Sequence, residues 1–386
     1  MNTILPCAQA LLYTLMGLMP SPYQNKSLKA VLAMFWEPQR IALPEHCVMC
    51  LVKRTLRRPQ RDFIRKSAAA LSRFMNEYGW PTRAVIRATR KHVLKELLKY
   101  APSGKRPDLQ VIIDLTTLEK RGKFKAFAQL IQILHGKRGM QIVVMYLVVG
   151  AWRVPWAFRP WRGKGTVTPA QLGLKLLRTL PKKLINRFRV LVLADTGFSS
   201  VEFVNGVEKL RHQAIVGIPK NRLMANGRAI KTITKKGQQV QITGFARMVN
   251  ASWFYLERNG KLVKRFVIST RVLKGSTITW WGRRRWAIEG FFKTVKYQFG
   301  LASFGQQKLL GVYRWLILSF ISFVLTHWVY LSLQRITLPD WKEAALLTLQ
   351  QLLPKTAVNL LLIEIEGKRE LLASQGLALR LVSLQT

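Results

Sequence analysis

The sequence predicts an α/β fold class with helical regions on both sides of the α/β part. Three observations indicate it. Continuous apolar runs in the middle of the chain indicate buried strands, helical segments alternate with these runs, and a β-rich stretch follows them. Strands without polar alternation are typical of a sheet that is covered on both faces. We therefore expect a central sheet with helices packed against it.

The N-terminal region, residues 1–104, is predicted to be helical, basic and DNA-binding. Two amphipathic stretches, Arg61–Glu77 and Thr82–Tyr100, are separated by Gly79 and Pro81, which interrupt a helix. Basic residues occupy one side of the second stretch. Two interpretations stay open, a helix-turn-helix-like unit that contacts phosphates or a solvated helix in a basic protein. The residues assigned to DNA contact are Arg83, Arg87, Arg90 and Lys91.

Residues 105–220 are predicted to form the first part of the α/β domain. Apolar runs predict its strands, and the segments 168–184 and 199–211 are predicted to be helical. The predicted strands are Leu109–Leu115, Gly139–Gly150, Arg189–Ala194 and Ala214–Pro219.

The rest of the chain is predicted to contain a β-rich insertion, residues 221–279, followed by the second part of the α/β domain, residues 280–335. Short strand-like segments separated by turn residues indicate the insertion. A helical C-terminal region, residues 336–386, completes the chain. Trp315–Leu333 carries no formal charge and is long enough to cross a bilayer. Its internal Ser, Thr and His residues favour a buried core helix, with a membrane anchor as the alternative.

The charge balance points to a polyanionic partner. The chain contains 63 Lys and Arg against 18 Asp and Glu, a net charge of +45. A soluble enzyme of small-molecule metabolism does not need such an excess, whereas nucleic acid or an anionic membrane surface attracts it. Three cysteines exclude a disulfide framework.

Because acids are scarce, their positions carry information. Asp195 follows an apolar strand after a long stretch without acids, Asp114 closes the run Val111–Asp114, and Glu289 is the one acid between Arg258 and Pro339. Carboxylates at strand ends and on a later helix can converge on Mg²⁺, which prefers oxygen ligands. Two such ions can activate the attacking oxygen and stabilise the leaving oxygen at a phosphodiester. A set of surface salt bridges is the structural alternative.

The helix around Glu289 resembles the signature of the insertion-sequence-4 family of DDE transposases. Arg285, Glu289 and Lys296 fall in register with the Arg, Glu and Lys of that signature, while Gly282 stands where the family has Tyr. The segments around Asp114 and Asp195 resemble the two family motifs that carry the catalytic aspartates. The position of the β-rich insertion also agrees with the family.

This resemblance implies a ribonuclease-H-like catalytic domain with Asp114, Asp195 and Glu289 as catalytic metal ligands. It implies two Mg²⁺ ions, replaceable by Mn²⁺, and cleavage of DNA at transposon ends followed by strand transfer. The implied partners are double-stranded DNA of terminal inverted repeats and target sites, and a second copy of the chain on DNA, with no membrane. The implied location is the bacterial cytoplasm, at the nucleoid. The further DNA contacts expected are Arg285, Lys293, Lys296 and Trp253.

Two other functions are compatible with the same residues. A DNA-binding protein of this fold with an inactive site would keep the basic charge and lose cleavage. A basic membrane-anchored protein would use the apolar segment near residue 320 as its anchor.

Overall fold

A computed structural model of the chain describes residues 4–36, 68–122, 124–134, 136–258, 260–333 and 340–354, together with residues 357 and 374. The chain divides into two compact units, residues 1–80 with 328–386, and residues 81–327.

The helices agree in part with the predicted ones. Residues 61–67 of the first predicted amphipathic stretch, and most of the C-terminal region after residue 354, lie outside the described residues. The predicted helix 168–184 is divided in two, because Pro181 begins a new helix. In chain order the helices are α1 (Ile4–Gly17), α2 (Pro22–Trp36), α3 (Ala68–Asn76), α4 (Thr82–Leu98), α5 (Pro169–Leu177), α6 (Lys182–Arg187), α7 (Val201–Lys209), α8 (Gly275–Arg284), α9 (Ala287–Tyr297), α10 (Leu309–Ser332) and α11 (Trp341–Leu352).

The strands form one mixed sheet in the second unit. Their order is β2-β3-β1-β5-β6-β9-β8-β7, with β4 paired to β3. In chain order the strands are β1 (Asp108–Glu119), β2 (Ile131–Leu134), β3 (Lys137–Val149), β4 (Trp152–Trp161), β5 (Arg189–Ala194), β6 (Gln213–Ile218), β7 (Gln238–Val240), β8 (Val249–Arg258) and β9 (Lys261–Ser269).

The first unit is helical where it is described. Helix α2 packs against α3 and α11, and α11 also contacts α1. The indole of Trp80 stacks on Phe74 with 5.4 Å between ring centroids and donates a hydrogen bond to the Phe74 carbonyl oxygen. Burial of these apolar faces holds the helices together.

The second unit contains the core strands β4-β3-β1-β5-β6. Strands β1, β5 and β6 are parallel, and β3 runs antiparallel to β1. Nearly every side chain of β3 and β5 is buried, as the continuous apolar runs predicted. Helix α4 belongs to this unit, whereas the sequence placed it in the N-terminal region. The reason is that its apolar side and Arg90 pack on β4.

The β-rich insertion extends the same sheet. Strand β9 pairs antiparallel with β6 from Ile215 opposite Ser269 to Ile218 opposite Phe266, and β8 and β7 follow. Helix α8 packs on β8, β9 and β6. The insertion therefore provides a wall directly beside the carboxyl ends of β5 and β6.

Strand β4 was not predicted from the sequence. It contains Pro155 and Pro160, which lack the N–H that a central strand donates. In the structure β4 lies at an edge, and the pairing with β3 shifts register between Met145 and Tyr146, opposite Pro155. An edge position and a bulge are the places where a sheet accepts proline.

Helix α10 contains the apolar stretch that could cross a membrane by its length and composition. In its most apolar 18-residue window, 83% of the residues are buried inside the protein. Its Ser319 hydroxyl donates to the Phe299 carbonyl oxygen at 2.7 Å, and His327 is buried beside the turn that joins β3 to β4. Most of this apolar stretch is thus covered by other parts of the protein.

Candidate active site

Asp114 and Asp195 lie side by side at the centre of the sheet. Parallel pairing of β1 with β5 ends where Ile113 is opposite Ala194, so the two aspartates are the next residues on their strands. The interpretation that Asp114 ends its strand was wrong. Strand β1 continues to Glu119, because its antiparallel pairing with β3 extends beyond the end of β5. Both carboxylates therefore lie at the carboxyl end of β5, where α/β sheets hold their sites.

The Asp114 carboxyl group is buried, with a side-chain exposure of 11%. Burial, and then the negative charge of Asp195, raise its pKa to about 7, while the Arg285 guanidinium opposes the shift. The backbone N–H of Leu115 donates to its Oδ1 at 2.8 Å. Even with the Arg285 guanidinium beside it, Asp114 is thus only partly ionised at neutral pH, and a further positive charge would favour its ionised form.

Asp195 is held by the tight turn that follows β5. Its Oδ1 accepts a hydrogen bond from the Gly197 backbone N–H at 2.9 Å. A Cβ at residue 197 would lie 3.1 Å from that oxygen, so glycine permits the close approach. The backbone bond fixes one carboxylate oxygen of Asp195.

Glu289 lies one turn after a break between two helices. The segment that resembles the family signature is not one continuous helix, because α8 ends at Arg284 and α9 begins at Ala287. The Glu289 N–H donates to the Trp286 carbonyl oxygen at 2.9 Å, a tightened i→i−3 turn. The junction places the Arg285 side chain beside Glu289 and over β1.

Arg285 joins two of the three acids. Its Nη1 is 3.0 Å from Asp114 Oδ2, and its Nη2 is 2.7 Å from Glu289 Oε1. The Arg285 side chain is 15% exposed, whereas that of Glu289 is 54% exposed. The guanidinium is therefore a cation already positioned between two predicted metal ligands.

Aromatic packing fixes α9 above β1 and β3. Phe291 stacks on Tyr146 of β3 with ring centroids 4.4 Å apart and contacts Phe323 of α10 edge-on at 5.0 Å. Tyr146 is opposite Ile112, which shares its face of β1 with Asp114. The position of Glu289 near the aspartates thus follows from a buried aromatic cluster.

A cleft of about 430 Å³ opens beside these residues, and Asp114 is not among the residues that line it. Asp195, Arg285 and Glu289 line it from the core sheet and from α9. Two further residues, Arg265 on β9 and Trp286 at the helix junction, also line it, and the sequence analysis did not identify them. Strand alternation could have suggested Arg265 once the insertion was known to border the site.

The structure places the predicted DNA contacts on α9 along the line of the helix. Lys293 is exposed. Lys296 is partly buried, and burial followed by the charge of Lys137 lowers its pKa, while Glu119 opposes the shift. Helix α9 runs alongside β1. Glu289 therefore lies near Asp114, and Lys296 lies near Glu119, where β1 ends.

The four predicted contacts on α4 differ in position. Arg83, Arg87 and Lys91 are exposed at four-residue intervals and form one stripe. Arg90 instead donates to the Trp156 carbonyl oxygen at 3.2 Å and lies 5.3 Å from the centre of its ring. Burial lowers the pKa of Arg90. The Arg90 side chain is thus engaged by β4, while the stripe of Arg83, Arg87 and Lys91 faces solvent.

Trp253 is not in the cleft. It is opposite Phe266 on β9, with Lys264 Nζ 4.3 Å from its ring centre. Its strand neighbour Phe254 lines the cleft, and successive side chains of a strand point to opposite faces. The structure therefore brings Asp114, Asp195, Glu289 and Arg285 together and leaves Trp253 on the other side of the sheet.

Gly282 marks a close contact between α8 and the insertion. A Cβ at this position would lie 3.3 Å from side-chain atoms of both Phe254 and Val267. A tyrosine, as in the family signature, does not fit against these strands without displacing them. The neighbouring Trp281 is buried.

The donor chemistry of the site suits a hard divalent cation, because all three candidate ligands are carboxylates. Within the described ranges, no three such side chains already form a group that could hold a metal ion. The Arg285 guanidinium lies between two of these carboxylates, Asp114 and Glu289.

A known family and a solved structure have similarity to the chain. No curated protein sequence matches the chain. A solved structure with similarity to it is the cryo-EM structure of the piggyBac transposase synaptic complex with hairpin DNA, at 11% identity and a TM-score of 0.48, covering 99% of this chain and 84% of that one. The family model described as Transposase DDE domain matches residues 105–325, more than half of the chain, and includes all three acids. The chain therefore belongs to the DDE transposase family, with its ribonuclease-H-like catalytic fold.

Proposed function

We propose that this transposase cleaves DNA at transposon ends and transfers the freed strand to target DNA, with Asp114, Asp195 and Glu289 as its catalytic residues. The observation that carries the proposal is the joining of these acids, two as neighbours on β1 and β5 and the third through Arg285. The similarity of the Arg285–Lys296 segment to the insertion-sequence-4 signature supports a bacterial insertion sequence as the source. A nucleoid-associated, cytoplasmic location is part of the same proposal.

The three carboxylates would hold two Mg²⁺ ions, or Mn²⁺ in their place. When bound, such ions activate the attacking oxygen and stabilise the leaving oxygen of an in-line displacement. Asp195 is fixed by the backbone of Gly197, and Glu289 by the packing of α9, so both ligands are oriented in advance. Asp114, buried beside them, supplies a carboxylate that gains most from a neighbouring cation.

Arg285 exchanges partners in this proposal. In the protein alone it neutralises Asp114 and Glu289. A DNA phosphate offers the planar guanidinium the same two-oxygen geometry as a carboxylate. Binding of DNA therefore draws Arg285 away from the acids and frees them for metal. Lys293 and Lys296 extend the positive charge along α9, toward the end of the helix that is farther from Arg285.

Double-stranded DNA of terminal repeats and target sites is the proposed substrate. The net charge of +45 supports a polyanion, and the exposed stripe of Arg83, Arg87 and Lys91 offers a row of phosphate contacts. A transposon has two ends to be cleaved, and we therefore propose that two copies of the chain act as a homodimer on DNA. The stripe also suits the helix-turn-helix-like interpretation of this region, which stays a proposal.

The second candidate function is that of an inactive DNA-binding protein of the same fold. It is favoured by the two ion pairs that Arg285 forms with Asp114 and Glu289. An end-cleavage assay separates the two. Purified protein is incubated with labelled DNA carrying the element's ends and flanks, in Mg²⁺, Mn²⁺, Ca²⁺ or chelator. We expect nicks at the element boundary in Mg²⁺ and Mn²⁺ only. Tight binding with no nick in any metal would favour the inactive protein.

A further inference from the structure

The cleft contains a second arginine, Arg265, that no carboxylate holds. We propose that Arg265 binds a phosphate of the DNA strand that enters the cleft, next to the phosphate at the acids, and so positions that strand. This inference rests on the proposed function. It assigns to the β-rich insertion a positioning residue that the family signature does not contain.

Arg265 reaches the cleft because of the register of the insertion strands. It is opposite Phe254, and Val263 is opposite Leu256, and all four residues line the cleft. Lys264, the next residue on β9, lies over Trp253 on the other face. Strand β9 in turn pairs with β6, whose Gly217 lies against Asp195 and Thr196. The backbone of the sheet therefore fixes Arg265 relative to the catalytic acids.

The two arginines of the cleft differ in their partners. Arg285 is engaged by Asp114 and Glu289. Across the part of the chain that the structure describes, no carboxylate oxygen is within 4 Å of the Arg265 guanidinium and no acceptor is hydrogen-bonded to it. Its side chain is nevertheless partly buried. A partly desolvated cation without a partner is retained at a cost, and an anionic ligand removes that cost.

The composition of the cleft explains why a phosphate needs this residue. The acids Asp195 and Glu289 line the same space, so a phosphodiester meets negative charge on entry. Phe254, opposite Arg265, and Leu256 give this wall of the cleft apolar side chains, and a lower local dielectric strengthens the attraction of Arg265 for an anion. Its guanidinium can bind two phosphate oxygens at once. Arg265 therefore offers the one uncommitted positive charge among the described residues that line this cleft.

The test compares Arg265→Gln with Lys264→Gln, which removes a neighbouring charge from the opposite face. Single-turnover cleavage is measured on transposon-end DNA in which one phosphate at a time is replaced by an uncharged methylphosphonate. We expect Arg265→Gln to cleave about 10- to 100-fold more slowly than the wild type, as for loss of a charged hydrogen bond. Lys264→Gln should cleave within about 2-fold of the wild type, because its charge lies outside the cleft.

The position-specific result is decisive. In the wild type, one methylphosphonate near the cleavage position should slow the reaction by a similar factor, and in Arg265→Gln that same replacement should have no further effect. Additive losses at every position would overturn the inference, as would wild-type rates in Arg265→Gln. Arg265→Lys, with an unchanged melting temperature and partial recovery of the rate, excludes misfolding. If the wild type itself does not cleave, the proposed function fails first.

Discussion

At the scale of single residues, the contact between Arg285 and Asp114 organises the site. The scarcity of acids in a basic chain singled out Asp114, Asp195 and Glu289, and the resemblance to the insertion-sequence-4 signature grouped them as one candidate site. The four-residue spacing of Arg285 and Glu289 permits an ion pair between them, which is formed at 2.7 Å. The bond from Arg285 to Asp114 could not be predicted, since it depends on how α9 lies across β1. Arg265 was not predicted for the same reason, because only the strand register shows which face of the sheet its side chain occupies.

Replacing Arg285 with alanine should strengthen binding of a divalent cation in the absence of DNA. The change frees one oxygen each of Asp114 and Glu289 from an ion pair. We expect the Mn²⁺ affinity of DNA-free protein, measured by titration calorimetry, to rise about 5- to 10-fold, equivalent to roughly 1 kcal/mol. Arg284→Ala is the matched control, because Arg284 lies over Trp280 instead of the acids. Equal Mn²⁺ affinity in wild type and Arg285→Ala would rule out competition between the guanidinium and the metal.

At the scale of elements, the apolar runs predicted the presence of β1, β3, β5 and β6, because strands that are buried on both faces contain few polar residues. The prolines concealed β4, which is an edge strand. The break between α8 and α9 was also missed, since Arg, Trp and Ala carry no helix-breaking signal. Tertiary contacts set that break, and they include the close packing of Gly282 on β8 and β9.

Gly282→Tyr restores the family residue and should nevertheless destabilise this protein. The new side chain would collide with Phe254 and Val267, and overpacking of this kind costs about 1–3 kcal/mol. Chemical denaturation measures the free energy of unfolding. Gly290→Ala, at a helical position with nothing within 4 Å of a new Cβ, should instead gain up to about 1 kcal/mol. A Gly282→Tyr protein as stable as the wild type would show that α8 can move away from the strands.

His327 should make stability depend on pH through α10. Its Nε2 accepts the Arg153 backbone N–H at 3.1 Å, and burial, with the nearby Arg153 charge, lowers its pKa to about 3. The unfolded chain takes up a proton below about pH 6.5 while the folded chain does not, so this contribution is complete above pH 6.5 and is lost as the pH falls.

Because of His327, we expect the free energy of unfolding to fall by about 1 kcal/mol when the pH is lowered from 6.5 to 5.5. Denaturation of wild type and His327→Asn at both values isolates this residue from the other titrating groups. The wild type should lose more stability than the variant over that interval. Parallel profiles for the two proteins would mean that His327 is not held neutral in the fold.

At the scale of the whole molecule, the charge of +45 makes DNA binding an electrostatic process with a steep salt dependence. Composition alone predicted this, but only the structure distinguishes Arg87, which is exposed, from Arg90, which β4 occupies. Arg87→Gln should lower the slope of log affinity against log salt by about 0.9, the contribution of one phosphate contact. Arg90→Gln should leave the slope unchanged. If neither substitution changes the slope, α4 is not part of the DNA-binding surface.

The central claim is that Asp114, Asp195 and Glu289 together perform metal-dependent cleavage. The most direct measurement is the rate of Mg²⁺-dependent nicking of transposon-end DNA by Asp114→Asn, Asp195→Asn and Glu289→Gln, beside Glu257→Gln. Glu257 borders the same cleft, but it shares its face of β8 with Trp253 and has no place in the set. We expect each of the three variants to bind DNA normally and to lose cleavage by at least about 100-fold, while Glu257→Gln cleaves within a few-fold of the wild type. Wild-type cleavage by any one of the three variants would contradict the assignment.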